Sequence, residues 1–405
     1  MPNTIFGDEF TVNEEVASSQ LYQQLTMLAD GRVLFTWTSV DPDVDGESYG
    51  ISARIGTVQA DGSVVWGAAG EITVNEEVQN AQYTSQVTLL NDGRVLFTWQ
   101  SSDPDVDGDG SATSARIGTV QADGSIVWGA AGEITVNEEV QNGQNESQVL
   151  VLSDGRVLFT WTSEDPDVDG SGPGISARIG TVQADGSIVW GAAGEITVNE
   201  EIEANQYSPQ VTVLDDGRVL FTWRSEDPDV DGAGFGISAR VGTVQTDGSI
   251  VWGAAGEFTV NEEVEADQLN PQVAVLSDGR VLFTWQSFDP DIDGSLSGIS
   301  ARIGTVQADG SITWDAAGEI TINAEVQNTQ YTPQVALLND GRVLITWLSD
   351  DPDVDGSDSG ISGRVVLFNQ MPAAQDDAFA VSEDGTITNG DLFADNGNGT
   401  DNDDD

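Results

Sequence analysis

The chain has no cysteine, no histidine and no lysine, and its only basic residues are 13 arginines set against 69 Asp and Glu. The lack of cysteine excludes disulfides, thiol catalysis and thiolate zinc sites. Without His, Cys or Lys, the acid–base chemistry left to the chain is that of carboxylates, as in glycoside cleavage. A net charge of -56 excludes a nucleic-acid partner, because phosphates are repelled. An anionic membrane surface is disfavoured for the same reason. Carboxylates in this number suit a salty or calcium-rich medium, where cations screen their repulsion. No apolar run approaches the ~20 residues of a membrane span, so membrane insertion is not expected. The stretch from Met1 to Glu15 is acidic and lacks a hydrophobic centre, unlike an ordinary signal peptide.

What the chain does contain is a repeat. Gly-Arg-Val-Leu-Phe-Thr-Trp opens at Gly31, Gly93, Gly155, Gly217, Gly279 and Gly341, always 62 residues apart, with Ile345 for Phe in the last copy. Shortly after each Trp comes Asp-Pro-Asp-Val-Asp-Gly, from Asp41–Gly46 to Asp351–Gly356, with Ile292 for Val in the fifth. A fixed period dictates the architecture. Each repeat reads as four strands. In the second repeat they are Gln86–Leu90, Arg94–Trp99, Ser114–Gln121 and Glu133–Asn137, with Asn91-Asp-Gly93 as a hairpin signal and Ile126–Trp128 extending a further hairpin. Val-Leu-Phe-Thr-Trp is apolar at almost every position, as in a strand buried on both faces.

The two ends are complementary. Glu9–Asn13 matches Glu71–Asn75, while the sixth repeat stops near Phe368 without its Trp-Gly-Ala-Ala-Gly-Glu-Ile-Thr-Val-Asn segment. A closed ring uses such a match to remove an open sheet edge. The expected fold is therefore all-β: a six-bladed β-propeller of four-stranded antiparallel blades over residues 1–370, closed by the N-terminal strand pairing with Ile361–Phe368. The alternation of connections in a meander puts the Asp-Pro-Asp-Val-Asp-Gly and Asn-Glu-Glu loops on one face. Residues 371–405 carry no repeat and form a short irregular tail, too short to bury a core alone.

Gly93–Trp99, Asp103–Gly108, Ala115-Arg116 and Gly132–Asn137, recurring in order, resemble tandem blocks of very large RTX-type, type I-secreted bacterial proteins. The tail from Gln375 resembles the opening of the cadherin-like or immunoglobulin-like modules of such proteins. The glycine-rich calcium nonapeptides of that group are absent. The resemblance implies an extracellular or cell-surface, calcium-dependent adhesin, with the ring as one module of a longer chain.

Asp-x-Asp-x-Asp-Gly matches positions 1, 3, 5 and 6 of an EF-hand loop, where alternate carboxylates converge on one cation. The expected calcium ligands are Asp41, Asp43, Asp45, Asp103, Asp105, Asp107, Asp165, Asp167, Asp169, Asp227, Asp229, Asp231, Asp289, Asp291, Asp293, Asp351, Asp353 and Asp355. A serine stands where the bidentate Glu of an EF-hand would be, so carbonyls, water or an acid such as Glu76 or Glu77 must complete the shell. An acidic solvated turn is the competing account. Twelve of the 13 arginines sit at two fixed positions per repeat, as Arg94 and Arg116 do, which points to structural ion pairs; Arg224 is the exception. The Trp residues read as blade packing. Gln82, Gln86 and their counterparts read as a polar channel lining. The positions Leu21, Tyr83, Asn145, Tyr207, Leu269 and Tyr331 vary, as do the loop tips Glu47–Tyr49 and Ala233–Phe235, and variation on a uniform scaffold is where a partner is read.

Because the acids come in six near-equal copies, the expected function is a non-catalytic, calcium-dependent binding or adhesion module, with a glycan or cell-surface protein as partner and the ring itself monomeric. The alternatives are a carbohydrate-active propeller enzyme using carboxylates, or an acidic scaffold adapted to high salt.

Overall fold

A computed structural model describes residues 10–14, 19–40, 49–61, 63–76, 80–102, 110–138, 142–165, 172–200, 204–227, 234–262, 266–289, 296–324, 328–338, 340–350 and 360–368. They form six antiparallel sheets, one per repeat, in a six-bladed propeller, with no helix among the described residues. The second blade runs Gln82–Leu89, Val95–Ser101, Ala112–Val120 and Ile126–Thr135 from axis to rim, each strand paired with the next. In blades one and five the rim strand is split into two short pieces, Val64–Trp66 with Ile72–Thr73, and Ile312–Trp314 with Ile320–Thr321.

The second strands are buried on both faces, as their continuous apolar run requires. Trp99, Trp161, Trp223 and Trp285 are fully enclosed, and each packs, with the Phe of its own strand, against Leu and Ile from the preceding blade. Five such cores lie between successive blades, from one and two to five and six. In blades two to six the glutamine that opens the inner strand serves the same packing: Trp99 Nε1 donates to Gln82 Oε1 at 2.7 Å, and Gln144, Gln206, Gln268 and Gln330 accept from their own indoles alike. The outer tryptophans face an arginine, with the Arg116 guanidinium 4.3 Å from the Trp128 ring centre, so both Trp sets are structural. Arg178, in turn, donates to Val136 O at 2.6 Å and pairs with Glu138 of the preceding blade at 2.5 Å. The Arg94 series ties blades together from the other face, with Arg94 bonding Asp92 and reaching Gln183 O of the next blade at 2.7 Å.

The junction between blades six and one differs. Among the described residues, blade six has three strands, Gln330–Leu337, Val343–Ser349 and Gly360–Val366. The segment Phe10–Glu14 lies at this seam and is held by blade one: Arg54 donates to Val12 O and to Glu14 Oε1, both at 2.6 Å, and Phe10 meets Trp66 edge-on. Among the described residues it is not assigned as a strand on Ile361–Phe368; its backbone also bonds blade one, Glu14 N donating to Glu71 Oε2 at 2.9 Å. A cavity of about 1050 Å³ remains there, bounded by Phe10, Leu25, Trp37, Trp347 and Ile361. Leu25 and Ile361 are accordingly 63% and 74% exposed.

Residue changes follow this seam. In blades one to five a glycine lets the rim tryptophan approach, and a Cβ on Gly118 would stand 2.9 Å from the Trp128 ring. Blade six lacks that tryptophan and carries Val366 instead. Likewise a Cβ on Gly191 would meet Asp247 O of the next blade at 2.6 Å, whereas the counterpart in blade five is Asp315, which pairs with Arg280.

Candidate functional site

The loops after the second strands and before the inner strands do share one face: Gln82 N donates to Tyr49 O at 2.9 Å, and Ile51 N donates to Asn75 Oδ1 at 2.7 Å. Of the expected calcium ligands, Asp165, Asp227 and Asp289 are described. Each is buried on this face, with its N–H donating to the serine two residues before it. The other fifteen lie outside the described residues. Among the described residues, no three acidic side chains come close enough to hold a metal ion.

Each inner strand carries a bulge close to this face. In blade three, Asn145 opposes Thr162 and Gln148 opposes Thr160, so Glu146 and Ser147 together face Trp161 alone. The first bulge residue has a left-handed backbone in every blade: Tyr22, Thr84, Glu146, Ser208, Asn270 and Thr332, with φ from 48° to 55°. Asparagine accepts that region readily; β-branched threonine and the others do so only when the surrounding structure imposes it. The bulge turns these side chains toward the axis. A cavity of about 230 Å³ on the axis is walled by five of them, by Ser147 and three prolines, and by the glutamines Gln86, Gln148, Gln210, Gln272 and Gln334.

Here the sixfold symmetry breaks. One of the six bulge residues, Glu146, is a carboxylate. It accepts from Ser208 N at 2.7 Å, from Ser208 Oγ at 3.2 Å and from Thr162 Oγ1 at 3.0 Å. The neighbouring blade adds Tyr207, whose ring faces the Arg224 guanidinium at 4.4 Å, with Phe235 at 4.5 Å from the same guanidinium. Burial pushes the Tyr207 phenol above its ordinary pKa. Glu226 adds to this, Arg224 opposes it, and Glu164 and Glu146 contribute further, so the hydroxyl stays protonated at neutral pH. Glu226 accepts from Asn205 Nδ2 at 2.5 Å, and the Glu164 carboxylate lies over Gly143. Three carboxylates, a phenol and a guanidinium thus collect over blades three and four.

The variable positions read from the sequence do meet: Tyr49 packs on Tyr83 with ring centres 5.2 Å apart, and Tyr207 joins Phe235 through Arg224. Glu146 was missed. It stands one residue beyond the varying Asn145, and a comparison of that next column would have isolated it.

No protein-family model and no curated protein matches the chain. Solved structures do. An α-L-arabinofuranosidase of Fusarium graminearum, of glycoside hydrolase class GH93 and in complex with arabinobiose, is 14% identical, with a TM-score of 0.53 over 86% of this chain and 93% of that one. The NanB sialidase of Streptococcus pneumoniae is 12% identical, with a TM-score of 0.52 over 84% of this chain and 67% of that one. A protein of unknown function from Dyadobacter fermentans is 14% identical, with a TM-score of 0.52 over 90% and 99%. These likenesses establish the propeller and nothing of the resemblance to secreted adhesin repeats. They also correct the expectation of a non-catalytic adhesion module, since the propellers of known activity among them are glycosidases. The physical reason is at Glu146: the acids are not six equal copies, because the axis carries one that its five counterparts lack.

Proposed function

We propose that the chain is a carbohydrate-active propeller that cleaves glycosidic bonds over blades three and four. The observation that carries this reading is Glu146, the carboxylate at one of six equivalent axial positions, held by three donors from Ser208 and Thr162. Glycoside hydrolysis uses two carboxyl groups around an oxocarbenium-like transition state. Glu146 faces the sugar from the axis and stabilises its developing positive charge. Glu226 or Glu164 passes a proton to the leaving oxygen as the glycosidic C–O bond breaks, and a water then adds to the anomeric carbon and returns its proton to that carboxylate. Tyr207, still protonated, donates to a sugar hydroxyl, and its ring offers an apolar face. The bulge is common to all six blades, and what it contributes is to set the Glu146 carboxylate at the axial cavity.

Calcium at the Asp-Pro-Asp-Val-Asp-Gly loops fits as a rigidifier of the same face, supported by the buried first carboxylates Asp165, Asp227 and Asp289. An extracellular setting, where glycans and calcium are both abundant, agrees with the net charge of -56 and with the resemblance to secreted bacterial proteins. The test is release of reducing ends from a panel of oligosaccharides, arabinan and sialosides included. Turnover of any member supports the reading, and no turnover across the panel, with and without calcium, overturns it.

A further inference from the structure

Arg224 stands apart from every other arginine. Among the described residues, eleven of the others make ion pairs with Asp or Glu, and Arg364 donates to Ile322 O at 2.7 Å. Arg224 has neither an ion pair nor a hydrogen bond among them, although the chain holds 69 acids. Its Nε is buried with no acceptor. Both neighbouring contacts are aromatic, Tyr207 at 4.4 Å and Phe235 at 4.5 Å from the guanidinium carbon. Of the three acids around Tyr207, Glu146 is engaged with Ser208 and Thr162 and Glu226 with Asn205, while the Glu164 carboxylate lies over Gly143. An arginine whose faces rest on rings keeps its planar fork of N–H donors along its edge, and that fork matches a carboxylate in bidentate fashion.

We infer that Arg224 reads a carboxylate on the sugar, so that the site over blades three and four takes a uronic-acid-bearing glycan. This inference rests on the glycan-cleaving reading and names its substrate class. The position suits the role: Arg224 pairs across the sheet with Tyr207, whose neighbour Ser208 donates to Glu146, so the arginine and the axial carboxylate are separated by one blade boundary. Glu146, Glu164 and Glu226 act against an anion at close range, so the preference must come from the bidentate contact at Arg224; the rest of the net charge is screened over ~10 Å at ordinary salt. Contact at Arg224 is within that distance.

The test is calorimetric binding of an oligogalacturonate against its methyl ester, which removes the charge and keeps the shape. The wild-type chain should bind the free acid roughly tenfold to a hundredfold more tightly than the ester. Arg224→Gln should erase that preference with melting unchanged, and Arg224→Lys should restore only a small part of it, because the fork and not the charge alone is read. Equal binding of acid and ester by the wild type, or a preference kept in Arg224→Gln, overturns the inference. These readouts need no turnover, so the inference fails or stands separately from the cleavage reading.

Discussion

Ser208 N donates to Glu146 Oε2 at 2.7 Å across the boundary between blades three and four. Both residues sit at the same bulge position of their repeats, and both have a left-handed backbone. The bond therefore links a scaffold feature, repeated six times, to the single carboxylate placed on it. A uniform ring becomes a directional site by one such change.

The indole–glutamine bonds should be the structural counterpart of that site. Gln144→Leu leaves the enclosed Trp161 Nε1 without its acceptor at 2.7 Å. A loss of about 1–3 kcal/mol is expected, read by denaturant unfolding, and an unchanged midpoint would mean that the indole finds another partner.

Three rim glutamates should make stability fall as pH rises. Burial raises the pKa of Glu195, Glu257 and Glu319 above the ordinary 4.5. The folded state then holds more protons than the unfolded state in the window just above 4.5, so stability from these groups declines with increasing pH there. Glu257→Gln keeps an oxygen for Glu200 N and removes the ionisation. Its melting temperature should gain on the wild type as pH rises above 4.5; parallel profiles would show that Glu257 ionises without cost.

Calcium should raise the melting temperature where magnesium does not. Binding to folded loops alone stabilises by about 2.7 kcal/mol per site at 100 times the dissociation constant. Magnesium demands a tighter octahedral shell and should substitute poorly. Asp227→Asn, at the buried start of the fourth loop, should reduce the calcium effect. Equal melting in chelator, magnesium and calcium at one ionic strength would remove calcium from the account.

The seam should be the weakest junction. Removing residues 1–14 takes away the partners of Arg54 at Val12 and Glu14 and the ring against Trp66. A lower melting temperature or self-association through the Gly360–Val366 edge is expected, checked by calorimetry and light scattering. A monomer with unchanged melting would show that blade one holds its place without this segment.

The ring was legible in the sequence because a 62-residue period, a buried Val-Leu-Phe-Thr-Trp strand and short hairpin turns all demand the same blade. The roles of Arg94 and Arg116 followed from the periodicity of their charges. The exact mode of closure was not legible: Glu9–Asn13 matches Glu71–Asn75 in letters, but whether a ladder or the Arg54 contacts hold it depends on packing across the seam. Nor was the bulge. Its left-handed residue is Tyr, Thr, Glu, Ser, Asn and Thr in turn, none of them the glycine that announces such a backbone. Without the bulge, Glu146 reads as one more acid on a crowded face.

The most direct measurement is therefore made at Glu146. Wild type and Glu146→Gln are compared for oligosaccharide cleavage at equal folding, judged by melting. Loss of roughly 100-fold or more in turnover, with binding largely kept, is the predicted result. Full turnover in Glu146→Gln would contradict the account and move the chemistry away from the axis.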